Sequence, residues 1–60
     1  MKIHYTKVFL TPPLKGVRFQ VSEDVSEERF QQLCNYGPDT PFNGGVAGHS
    51  WFVHALRVEQ

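Results

Sequence analysis

The sequence predicts a small α+β domain of order β-β-α-β, with one helix packed on one face of a three-stranded antiparallel sheet. Two strand-like runs near the amino terminus are joined by a proline-containing turn. One short amphipathic segment follows them, and an apolar strand-like run ends the chain. Sixty residues make a single small domain, 1–60. A chain of this length buries only about 60% of its unfolded surface, so we expect marginal stability.

The first two strands are predicted to form a hairpin. Residues 2–10 are the first strand, and Thr11–Gly16, with two prolines and a glycine, is the turn. Val17, Phe19 and Val21 of the second strand alternate with polar residues, which is typical of a strand buried on one face. The inward face of the first strand stays open between two sets of residues: Ile3, Tyr5 and Phe9, or Val8 and Leu10.

A short helix is predicted after the hairpin. Ser26 is a favourable N-cap, and Val25 before it can pack on Phe30 as a hydrophobic staple. Phe30, Leu33 and Cys34 recur at helical spacing and form one apolar stripe. We therefore expect the Cys34 thiol to be buried and unreactive.

Residues 37–49 are predicted to be a long connection rich in glycine and proline. Gly37 followed by Pro38 is expected to end the helix, because glycine accepts the left-handed cap and proline cannot continue a helix. A loop of this length is unusual in so small a domain. The sequence leaves open whether the loop is functional or only a connector.

The last strand, Trp51–Val58, is the most informative run. The crossing helix should return it beside the first strand, which predicts the strand order 2-1-3 with an unprotected apolar edge. One short helix cannot cover two apolar faces, so we expect a homodimer, formed by pairing third strands edge to edge or by stacking bare sheet faces. Regular alternation predicts these two faces: Trp51, Val53 and Ala55 on one, and Phe52, Leu56 and Val58 on the other.

Charge and composition argue against several classes of protein. The net charge is zero with the histidines neutral, which argues against general electrostatic binding to nucleic acid. A single cysteine excludes an intramolecular disulfide and fits a reducing, cytoplasmic setting. The chain starts without the apolar core of a signal peptide, and no run approaches the roughly 20 apolar residues that span a bilayer, so no membrane partner is expected.

The surplus of apolar strand surface predicts a non-enzymatic regulator or inhibitor that acts through protein–protein contacts. Aromatic side chains in the last strand are typical anchors at the centre of an interface. The identity of the partner protein is not encoded in any pattern. The expected partner-binding residues are Trp51, Phe52, Val53, Leu56 and Phe42.

A nucleic-acid-binding module is the alternative. In it, Lys7, Lys15 and Arg18 of the basic hairpin contact phosphates while neighbouring aromatic rings stack on bases. No catalytic residues are expected, because no nucleophile, base or paired carboxylates occur in a pattern that implies a cleft. The histidines and the cysteine lack a chelating spacing, so no metal and no cofactor are expected.

Overall fold

The computed structural model describes residues 1–45 and 48–59. The strands form one open antiparallel sheet in the order β2-β1-β3, and α1 packs on one face of it. The predicted α+β class, strand order and helix placement are confirmed. The elements are β1 (Lys2–Phe9), β2 (Arg18–Asp24), α1 (Glu27–Cys34) and β3 (Trp51–Val58).

Backbone hydrogen bonds close the turn between β1 and β2. Leu14 N donates to Thr11 O at 3.0 Å, and Val17 N donates to Leu14 O at 2.8 Å. Gly16 has a φ of 86° and donates its N–H to Phe9 O at 2.8 Å. Such a positive φ favours glycine, because a Cβ atom would be strained there. Gly16 therefore allows the hairpin to close at the predicted turn.

The start of α1 follows the predicted cap. The Ser26 hydroxyl oxygen accepts a hydrogen bond from Arg29 N at 3.1 Å, which satisfies one of the free amides of the first turn. Val25 and Phe30, the pair expected to form a hydrophobic staple, both pack against the core cluster. The local sequence therefore sets where this helix begins.

The end of α1 differs from the prediction. The helix stops at Cys34, and Asn35 caps it in a right-handed conformation. Asn35 N donates to Gln32 O at 3.1 Å, and Tyr36 N donates to Leu33 O at 3.2 Å. These bonds tighten the last turn before the chain reaches the glycine. The prediction that Gly37 ends the helix as a left-handed cap is wrong, because positive φ among glycines is found at Gly16, Gly44 and Gly48 and not at Gly37.

A β-bulge in β3 overturns the predicted division of its apolar residues between two faces. The register between β1 and β3 shifts between His4 and Thr6. Within this shift, Ala55 and Leu56 of β3 together lie opposite Tyr5, and Ala55 has a φ of 55°. One extra residue reverses the alternation of every side chain that follows it. Four apolar residues of β3 therefore share the face toward α1: Trp51, Val53, Leu56 and Val58.

The core lies between α1 and this face of the sheet. Ile3 and Leu33 are 0% exposed, and Tyr5 and Trp51 are buried beside them. The inward face of β1 is therefore the one that carries Ile3 and Tyr5. Phe19, expected to be half-buried on β2, is 49% exposed, because it pairs across from Lys7 rather than beneath the helix.

The opposite face of the sheet is mainly polar. Val8 lies between Arg18 and Phe52, and Thr6 donates a hydrogen bond to Gln20 Oε1 at 3.3 Å. Thr6 and Val8 are both 8% exposed although they face away from α1, because the side chains of the flanking strands cover them. The expectation of a second bare apolar face is therefore wrong. A homodimer formed by stacking two such faces has no support from this surface.

Candidate functional site

The chain between α1 and β3 covers the first half of the outer edge of β3. Val53 N donates to Tyr36 O at 2.9 Å. Phe42 and Trp51 exchange two backbone hydrogen bonds, of 2.8 and 3.1 Å. Tyr36, just before the predicted 37–49 connection, and Phe42, within it, thus protect part of the strand. Residues 46 and 47 of that connection lie outside the described residues.

Aromatic rings pack where this cover meets β3. The ring of Trp51 lies 5.4 Å from that of Tyr36 and 4.9 Å from that of Phe42, measured between centroids. The Lys7 ammonium lies 4.4 Å from the Trp51 ring centroid, in position for a cation–π interaction. Trp51 is only 6% exposed. It therefore contributes to the core of the single chain before any partner can contact it.

The second half of the outer edge of β3 is open. From His54 to Val58, no strand or bridge among residues 1–45 and 48–59 pairs with it. Glu59 N donates inward to Lys2 O at 2.8 Å. Because backbone groups alternate in direction along a strand, the N–H and C=O of Val58 point outward. We call His54–Val58 the open edge; its outward groups are those with which an added strand would pair.

An apolar groove of about 330 Å³ lies between the end of α1 and the open edge. Cys34 lines it and is exposed. The prediction of a buried thiol is wrong, because Cys34 is the last residue of α1 and lies beside the groove rather than over the core. Groove and open edge together make the candidate site. The lining residues are Phe30, Leu33, Cys34, Tyr36, Gly37, Val53, Leu56, Arg57 and Val58.

The structure brings most of the predicted partner-binding residues to the same side of the sheet. Val53 and Leu56 are partly buried and line the groove. Trp51 and Phe42 lie next to the groove, with their rings packed against each other. Phe52 is separated from them, because it pairs with Val8 on the opposite face. The prediction missed Tyr36, which the chain after α1 places at the groove, and Val58, which the bulge turns to this face. It also missed Arg57, which lines the groove although it pairs with His4 on β1.

The three cations of the predicted nucleic-acid surface do not converge. Lys7 is on the α1 face, with its ammonium over the Trp51 ring. Arg18 pairs with Val8 on the opposite face, and Lys15 is exposed in the turn between β1 and β2. A phosphate backbone that lay along one face of the sheet would therefore contact either Lys7 or Arg18 but not both. This arrangement gives no support to the hairpin as a phosphate-binding surface.

A polar cluster lies at the end of the sheet near the chain termini. His4 Nδ1 lies 2.7 Å from Ser22 Oγ, and His4 Nε2 lies 3.3 Å from Glu59 Oε1. Ser22 and Glu59 are exposed to solvent. Within the described parts of the chain, no group of three or more His, Cys, Asp or Glu side chains is placed to hold a metal ion. The cluster connects β1, β2 and the residue after β3.

Tyr5 is the buried titratable group of the core. Its hydroxyl donates to Glu23 Oε1 at 3.2 Å. Burial raises the pKa of Tyr5 to about 12, with a further increase from the neighbouring Glu23 carboxylate, while Arg29 acts in the opposite direction. The phenol therefore stays neutral in the folded chain across the neutral pH range, which suits a structural role beneath α1.

The fold and the site define a small α+β domain with a half-covered edge strand and an apolar groove beside it. No protein-family model, curated protein or solved structure matches this chain. No helix among residues 1–45 and 48–59 is long and apolar enough to cross a membrane.

Proposed function

We propose that this chain is a non-enzymatic protein-binding domain, a regulator or inhibitor that acts by pairing the open edge with an extended strand of another polypeptide. The open edge beside the apolar groove is the observation that carries this proposal. Strand addition needs unpaired backbone groups for affinity and pockets for alternate side chains for specificity. The outward N–H and C=O of Val58 are the unpaired backbone groups, and the groove is the pocket for side chains.

The lining of the groove favours binding over catalysis. Phe30, Val53 and Leu56 are partly buried and offer apolar surface that a side chain of the added strand would remove from water. Arg57 supplies a positive charge at the open edge. We therefore expect preferred ligands to carry apolar residues at alternate positions and a carboxylate on the strand face that meets Arg57.

The experiment is selection of binders from a displayed peptide library, followed by measurement of their affinity for two variants. Val58→Pro removes the outward N–H, and proline is tolerated in a strand where its missing donor would face solvent. Val58→Thr keeps that donor and a branched side chain, so it is the matched control. We expect Val58→Pro to weaken binding at least about tenfold, the effect of one interfacial hydrogen bond lost.

Two results would reject this role for the edge. One is a selection that yields no binder to the folded chain. The other is a set of binders whose affinity for Val58→Pro equals that for Val58→Thr. Thermal melting of both variants checks that the substitutions leave the fold in place.

A further inference from the structure

We propose that the strand that pairs with the open edge is β3 of a second copy of this chain, antiparallel about Val58. This inference rests on the proposed role of the open edge in strand pairing. It names the partner as an identical subunit. The product is a continuous sheet of order 2-1-3-3-1-2 with both helices on one face, because a twofold axis perpendicular to the sheet preserves its faces.

Backbone geometry places Val58 on the axis. Its N–H and C=O point outward, whereas Glu59 N is bound inward to Lys2 O at 2.8 Å. Two copies of Val58 can therefore exchange N–H to C=O hydrogen bonds across the axis, as in a hydrogen-bonded pair of antiparallel strands. The side chain of Val58 is 37% exposed and lies at the groove. Its contact with its counterpart would bury apolar surface from both subunits.

Charge selects this register over the neighbouring one. Pairing about Val58 places Arg57 opposite Glu59 of the partner subunit, twice, by symmetry. Both residues lie on the face away from α1, since Arg57 pairs with His4 and Glu59 contacts the ring of His4 at 3.3 Å. Pairing about Arg57 would instead set two guanidinium groups directly opposite each other, which is unfavourable. No salt bridge to Arg57 forms within the described chain.

The position of the two grooves also favours this pairing. Each groove lies between α1 and the open edge, so in the paired sheet both open toward the twofold axis. Val58 of each subunit then borders the groove of the other. The paired segment is short, so we expect a weak dimer in the micromolar to millimolar range rather than an obligate one.

Charge reversal followed by sedimentation equilibrium tests this register. Arg57→Glu and Glu59→Arg each place like charges opposite each other, and we expect each to raise the dimer dissociation constant roughly tenfold. An equimolar mixture of the two variants brings opposite charges together at both positions and should assemble at least as well as the parent chain. His4→Gln removes the ring contacts with Glu59 and Ser22 inside one chain and leaves Arg57 and Glu59 in place, so it should dimerise like the parent.

The outcomes separate this inference from the proposed function. A parent chain that stays monomeric at millimolar concentration overturns self-pairing, and the peptide selection with Val58→Pro still decides whether the edge binds strands at all. A parent dimer with no recovery in the mixture overturns the register about Val58.

Cross-linking gives a second readout of the register. In a Cys34→Ser background, Val58→Cys should form an intermolecular disulfide under mild oxidation, because Cα atoms about 5.5 Å apart suit the bond. Arg57→Cys is the matched control and should cross-link at least about tenfold more slowly, since residue 57 faces residue 59 rather than itself. Faster cross-linking at position 57 would contradict the proposed axis.

Discussion

Ala55 shows how one backbone conformation reorganises a strand. It has a φ of 55°, in the left-handed region that side chains with a Cβ atom disfavour. The bulge at this position brings Leu56 and Val58 to the face that carries Trp51 and Val53. The strain of one residue is therefore offset by burial of apolar side chains beneath α1.

Replacing Ala55 with glycine should stabilise the fold. Glycine adopts a positive φ without the strain of a Cβ atom, and the expected gain is about 0.5–1 kcal/mol after the higher entropy of the unfolded glycine is counted. Urea unfolding measures the change. Arg18→Gly, at an exposed strand position with ordinary φ, is the control and should lose about 0.5–1 kcal/mol. A loss of stability in Ala55→Gly equal to that of the control would argue against the bulge.

Tyr5 should make the fold sensitive to high pH. Its pKa is about 12 in the folded chain against 10.0 for an unperturbed tyrosine. Because the folded state holds the proton more tightly, this contribution to stability is fully present below pH 10 and is lost as the pH rises toward 12. Ultraviolet titration of tyrosinate should show a late step that disappears in Tyr5→Phe and persists in Tyr36→Phe. A late step that survives Tyr5→Phe would assign the shift to another group.

The elements of this fold are short, and each depends on the others. The eight residues of α1 are too few to form a stable helix alone. Its cap at Ser26 determines where it begins, but its packing against the sheet depends on Leu33, which is 0% exposed. Likewise, the first half of β3 is an inner strand only because Tyr36 and Phe42 pair with it.

Leu33→Ala should unfold a large share of the molecules. Removing a fully buried leucine side chain costs about 2–5 kcal/mol, which is comparable to the whole stability expected for a domain of this size. Circular dichroism and thermal melting measure the loss. Gln31→Ala changes an exposed position of the same helix and should alter stability by about 0.5 kcal/mol or less. Similar melting curves for the two variants would mean that α1 does not close the core.

The folded single chain has one apolar face of its sheet, which its own helix and loop cover in part. Its opposite side is mainly polar, and its cations are spread over both faces and the turn. The surface that a partner could contact is therefore limited to the open edge and its groove, and does not extend over a whole face of the sheet. A partner is expected to extend the sheet and not to stack on it.

Binding to an oligonucleotide column distinguishes the two classes of function that the sequence left open. We expect no retention at low ionic strength, because the net charge is zero and Lys7 and Arg18 lie on opposite faces of the sheet. Lys15→Gln and Arg18→Gln should elute like the parent. Retention that falls steeply with salt and is lost in both variants would instead favour the nucleic-acid-binding alternative.

The amino-acid pattern alone was enough to predict the element order, the antiparallel sheet of order 2-1-3 and the cap at Ser26, because these follow from local preferences, the short turn between β1 and β2, and the helix that crosses back over the sheet. Contacts between distant residues decided the rest. The bulge at Ala55 arises where β1 and β3 must both bury their apolar residues under one helix, and no local pattern encodes it. The same is true of the half-covered edge, since the pairing of Tyr36 and Phe42 with β3 exists only once the chain has folded back on itself.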